Sequence, residues 1–189
     1  MANRNGPMGL RPVRKLGGGD ITNNGYDIAV DYTTAIYTGD VVEMTGTGKN
    51  IAVAASGNVD NIGVFAGCSY TDSDGSTKFS PYWPGVTGKT NVKAYVYDDP
   101  DIIFEVQGDS VAAADIGTLV DYTVGTGSTT TGLSGLTATV NGATGTTGKS
   151  LRIMRLVDRP DNEYGAYAKI EVMIAEHALK GVVAGVGGV

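Results

Sequence analysis

Eleven short apolar-rich runs, punctuated throughout by Gly, Asp and Asn, constrain what this chain can fold into. They occupy residues 27–32, 35–44, 50–55, 62–70, 78–83, 92–97, 102–106, 118–124, 136–140, 151–157 and 166–175. Runs of this length without helical apolar stripes predict many short strands in a sandwich or barrel. Alternation is cleanest through Val92, Lys93, Ala94, Tyr95, Val96 and Tyr97. Asp74 and Gly75, between Tyr70 and Phe79, signal a hairpin, since the glycine supplies positive φ without steric cost. Helix is confined to a turn or two within 110–115, and the 125–131 segment, GTGSTTT, reads as an exposed loop.

Composition agrees. Thr, Val, Tyr and Ile suit a pleated, half-buried surface. Hydrophobic residues at 41% with 18% charged exclude a disordered chain, and 29 glycines without a three-residue period exclude collagen. The fold expected is all-β: an antiparallel β-sandwich or barrel-like body over 26–178, an extended basic N-terminal arm with a Gly-rich joint over 1–25, and a flexible C-terminal tail over 179–189. Val64, Phe65, Tyr82, Trp83, Val96, Phe104, Ile153, Ile170 and Val172 are expected in the core or in a subunit interface.

Charge is unevenly spread. Arg4, Arg11, Arg14 and Lys15 all precede the first acidic residue, Asp20, whereas the whole chain carries −6. Pro7 and Pro12 hold this segment extended and Gly17, Gly18 and Gly19 release it from the body. The reading is a partner-binding arm that orders on docking, with Arg4, Arg11, Arg14 and Lys15 guiding it and Met8, Leu10 and Val13 as apolar anchors. Deleting residues 2–15 is then expected to leave the body folded. An acidic chain is a poor general nucleic-acid binder. No apolar stretch reaches the ~18 residues of a membrane span, and a lone cysteine, Cys68, cannot form an internal disulfide.

The sequence also carries decoys. Residues 143–150, ATGTTGKS, match a relaxed phosphate loop, but 151–157 reads as a strand where that motif needs a helix. Asp72, Ser73, Asp74 and Gly75 begin like a calcium loop whose closing Glu is missing. Asp98, Asp99 and Asp101 gather carboxylates around Pro100, more simply a solvated turn than a cation site. One histidine, His177, and one cysteine make metal ligation within the chain a poor reading, and there is no GxSxG elbow. No catalytic residue, cofactor or metal is assigned.

The stretches IGVFAGCSYTDSDGSTKFSPYWPG (62–85) and NGPMGLRPVRKLGGG (5–19) resemble small virion proteins of tailed bacteriophages, a type common in aquatic phages, that decorate or cement the capsid. The resemblance covers about half the chain and brings no active-site residues with it. It implies a non-enzymatic decoration protein on the outer capsid surface, assembled in the host cytoplasm. Its partners would be the major capsid protein and further copies of itself. A homotrimer is expected, with a dimer as the alternative, and exposed Trp83 and Tyr82 would support such an interface. A head-fibre or tail component is the competing function, and a carbohydrate-binding or hydrolytic role a more distant one.

Overall fold

The computed structural model describes residues 3–58, 60–141, 145 and 148–180, and it is all-β. Strands run in chain order as β1 (Arg11–Lys15), β2 (Asn24–Tyr26), β3 (Ile36–Tyr37), β4 (Val41–Met44), β5 (Ile51–Val53) and β6 (Asn61–Thr71). Next come β7 (Thr77–Ser80), β8 (Tyr82–Trp83), β9 (Thr90–Tyr97), β10 (Ile102–Gln107) and β11 (Ser110–Val111). The last are β12 (Leu119–Thr123), β13 (Thr137–Thr139), β14 (Leu151–Leu156), β15 (Gly165–Ala166) and β16 (Lys169–Ile174). Among the described residues helix is limited to 3-10 turns at Ala113–Asp115 and Ala178–Lys180.

Two antiparallel sheets carry the body. The first has the order β1-β10-β16-β14-β12-β13. Beyond β10, Gly108 bridges Ala138 in parallel and the Asp109 N–H donates to the Ala138 carbonyl at 3.1 Å, so this sheet curls back toward itself like a barrel. The second has the order β2-β9-β6-β4-β5, with β7 on the far half of the long β6. Period-two alternation gives the second sheet two apolar faces. Val41 and Val64 join Phe104, Tyr122, Ile153, Ile170 and Val172 in the core shared with the first sheet. Val42, Phe65 and Val96 point the other way, into a second core closed by Ile28, Ile36 and Trp83.

Trp83 is fully buried within the single chain, its Nε1 donating to the Tyr32 carbonyl at 3.1 Å, and Tyr82 stacks on Tyr37 with centroids 5.4 Å apart. Neither ring therefore calls for a subunit interface to hide it. The remaining expected core residues are buried as well. The hairpin at Asp74 and Gly75 joins β6 to β7 as the sequence predicts. Residues 28–32 do not form a strand. They make a tight turn closed by the Tyr32 N–H on the Ala29 carbonyl at 3.0 Å, because Ile28 must enter the second core and the chain must then reverse.

The largest departure concerns the arm. Residues 11–15 are the edge strand β1 of the first sheet, paired with β10 through Arg11 opposite Glu105 and Lys15 opposite Ile102, with a bulge around Val13. Leu10 is 1% exposed and belongs to the main core, where its burial contributes about 1.5–3 kcal/mol. Entry of this segment depends on a crossing of two main chains. Gly9 (φ +70°) and Gly39 (φ +96°) face each other, and the Leu10 N–H donates to the Gly39 carbonyl at 2.9 Å. A Cβ on Gly9 would stand 2.6 Å from that carbonyl oxygen, and one on Gly39 would stand 2.8 Å from the Met8 oxygen. Removing 2–15 would thus take away a strand and a core side chain.

Gly9→Ala combines left-handed strain with a clash against main chain and is expected to cost about 3 kcal/mol, a fall in Tm of about 6–12 °C. Gly17→Ala, where a Cβ meets nothing within 4 Å, is expected to leave thermal unfolding unchanged within about 2 °C.

Candidate functional site

On the outer face of the first sheet, β10 and β16 set Glu105 directly opposite Glu171, both nearly buried. Like charges in register repel, so each carboxylate needs a cation. Arg155, across from Glu171 on β14, clasps it with two hydrogen bonds of 2.9 and 2.8 Å. Arg14 of β1 adds a third at 3.0 Å, and Arg159 pairs with Glu105. Together, Arg155 and then Arg14 hold the Glu171 carboxyl below its ordinary range against the opposing effect of burial. At the end of the strand Lys15 pairs with Asp99 at 2.6 Å and likewise depresses that carboxyl.

Upstream, the N-terminal residues lie on the body through hydrogen bonds. Asn3 Nδ2 donates to the carbonyls of Glu163 and Ala166 at 2.7 and 2.9 Å. Gln107 Oε1 accepts from the Gly6 N–H at 2.8 Å and from Lys169 Nζ at 2.6 Å. The structure thus sorts the seven arm residues singled out in the sequence. Leu10, Arg14 and Lys15 are spent inside the fold. Arg4, Arg11 and Val13 are exposed, Val13 at 44%, and Met8 is half-buried.

Met8, Leu10 and Arg11, with Pro12, also form one wall of a cleft of about 420 Å³. Its other wall is Thr38, Phe65, Tyr97 and Leu133, brought from β3's end, β6, β9 and the 125–135 loop. A buried polar node braces those segments. Asp40 accepts from the Tyr37 N–H at 2.7 Å and from the Ser134 hydroxyl, and Ser134 Oγ accepts the Leu136 N–H at 2.9 Å. Desolvation pushes the Asp40 carboxyl up despite these bonds. The cleft is apolar with one cation at its rim: among the described residues Arg11 makes no ion pair, because Glu105 opposite it is taken by Arg159. Composition gave no sign of the far wall, whose residues meet only through the topology.

The decoys resolve into structural roles. Asp98 accepts from Asn24 at 2.9 Å and from the Tyr26 hydroxyl at 2.7 Å, while Asp99 and Asp101 pair with Lys15 and Lys180. Asp72 caps its own hairpin and pairs with Lys78 and Lys89. After the phosphate-loop-like stretch, of which residues 143, 144, 146 and 147 lie outside the described residues, comes strand β14, and Lys149 pairs with Asp121 at 2.8 Å. Burial pushes the Cys68 thiol up to about 12 and lowers the His177 pKa. Among the described residues no three His, Cys, Asp or Glu side chains are placed to share a metal ion. No family model, curated protein or solved structure matches this chain.

Glu171 and Asp99 have depressed pKa values in the fold, so their stabilisation is present above the unfolded carboxylate pKa of about 4 and is lost as pH falls through the folded values. Asp40, raised, acts in the opposite sense. Thermal stability is expected to fall below about pH 4. Glu171→Gln should lower Tm at pH 7 by about 4–8 °C, roughly 2 kcal/mol of charged hydrogen bonding, and the gap to wild type should shrink at pH 3.

Proposed function

We propose that this chain is a structural virion protein that binds the outer surface of a tailed-phage capsid and stabilises the shell, with the major capsid protein as its partner. The observation that carries the proposal is the free edge of β1. Among the described residues that strand pairs with β10 on one side only, and it is held rigidly by the Gly9–Gly39 crossing, by buried Leu10 and by the Arg14 and Lys15 ion pairs. An edge already ordered loses little conformational entropy when another protein's strand or loop adds to it. Val13 and Leu16 are exposed along it, Arg4 is exposed upstream of it, and Pro12 with the Val13 bulge discourages indiscriminate edge pairing. The recognition motifs at 5–19 and 62–85 supply the virion context, and their residues build β1, β6, β7 and β8.

Because the anchor is a folded edge, point substitution tests it better than deletion. Arg4→Glu with Val13→Glu is expected to keep the wild-type Tm while lowering retention on protein-depleted capsids at least about tenfold, measured by co-sedimentation. Electron cryomicroscopy of the decorated particle should place the chain outside the shell. Density inside the shell or on the tail, or undiminished retention of the double variant, would overturn the assignment.

A further inference from the structure

The cleft beside β1 has chemistry that another part of the same molecule matches. Val30 is 66% exposed, high for an aliphatic side chain, and Asp31 beside it is exposed and makes no ion pair among the described residues. They are the two central residues of the tight turn closed between Ala29 and Tyr32. Both flanks of that turn are fixed. Ile28 is buried in the second core, the Asp27 N–H donates to the Lys49 carbonyl at 3.0 Å, and the Val53 N–H donates to the Tyr32 hydroxyl at 3.0 Å. The result is a stiff knob with an apolar tip and a carboxylate. The cleft is its complement: apolar walls from Met8, Tyr97 and Leu133, and the unpaired Arg11 at the rim.

We propose that the turn carrying Val30 and Asp31 docks into this cleft on a second copy of the chain, Val30 entering between Met8 and Leu133 and Asp31 pairing with Arg11. Charge selects the occupant. In a chain of net −6, Arg11 is an exposed cation beside an apolar cleft, and the turn offers an exposed aliphatic tip directly joined to a free carboxylate. Apolar burial supplies the attraction, while the ion pair fixes the register and rejects mismatched neighbours. Knob and cleft share no residue, so a copy can offer its knob to one neighbour and its cleft to another, or exchange both with a single neighbour. A single turn tip buries less than a stable dimer needs, so the association is weak per contact, with Kd between about 1 µM and 1 mM. This contact stands whether or not the free edge of β1 binds a capsid.

Sedimentation velocity of the whole chain at rising concentration and low salt tests it. Wild type is expected to associate with increasing concentration. Arg11→Glu alone and Asp31→Arg alone should each stay monomeric, since each sets like charges at the contact. Mixing the two variants should restore association, because cleft and knob then carry opposite charges in both directions. Val30→Asp, at an exposed turn tip, should abolish association with Tm unchanged, which keeps the test decisive even if reversed charge beside Glu105 costs stability. Wild type monomeric to about 1 mM, reversed-charge variants that associate like wild type, or a mixture no better than its components would each overturn the proposal.

Discussion

Between Gly9 and Gly39 there is room for hydrogen atoms and nothing more, and much of the molecule's N-terminal order follows from that close crossing. Because the two main chains can touch, the Leu10 N–H reaches the Gly39 carbonyl and its side chain drops into the main core. With Leu10 fixed, the next five residues are positioned to run antiparallel to β10. Arg14 then arrives over Glu171 and Lys15 over Asp99. The dependence also runs in reverse. Two carboxylates placed opposite each other on β10 and β16 would repel in a nearly buried site, and Arg14 belongs to the group of three arginines that offsets them. Steric fit at one end of β1 and charge compensation at the other therefore support the same docking.

The strands were legible because their signal is local. Period-two alternation, the Asp-Gly hairpin and the scarcity of helical stripes are written in neighbouring residues, and they gave the all-β class and most of the core. Where the sequence misled, the cause was a partner far along the chain. Arg14 and Glu171 are 157 residues apart, so the basic segment looked unpaired when read by itself. Its extended backbone was foreseen correctly, but its state was not, since Pro, Gly and Arg describe a free arm and a docked edge strand equally well. The run 27–32 shows the same limit from another side. Its apolar residues suggested a strand, yet only Ile28 among them is buried, and Val30 is left at the tip of a turn. Half of the cleft was readable, through Met8, Leu10 and Arg11. Thr38, Phe65, Tyr97 and Leu133 came together only through the sheet order.

A docked arm changes what kind of binding device this protein can be. A disordered arm pays an ordering cost at each encounter, which lowers affinity for a given contact area. A strand already held on one side by β10 presents its edge in a fixed direction, so the cost was met during folding. The same rigidity narrows the choice of partner. Pro12 removes one donor and the bulge at Val13 breaks the spacing, so only a segment matching that irregular edge can add to it. Arg4, an exposed cation outside the cleft, would add a preference for an acidic partner surface, felt mainly in the rate and register of encounter.

In the proposed self-contact the knob and the edge of β1 have separate tasks, and geometry lets both proceed together. The cleft is lined by Met8, Leu10, Arg11 and Pro12, whereas Arg4, Val13 and Leu16 are exposed and lie outside its lining. Copies joined knob to cleft would therefore keep Arg4, Val13 and Leu16 available. Where the contact joins each copy to two neighbours, the rotation it imposes sets whether the series closes into a ring or continues as a filament. Closure is favoured on a surface that already holds the copies by their edges, because bound neighbours present knob and cleft to one another at high effective concentration. Each weak contact then strengthens the others: a copy leaving the surface must break its edge contact and both of its neighbour contacts at once. Cementing would in this way arise from two modest interfaces on one rigid β body, neither of which needs to be tight alone.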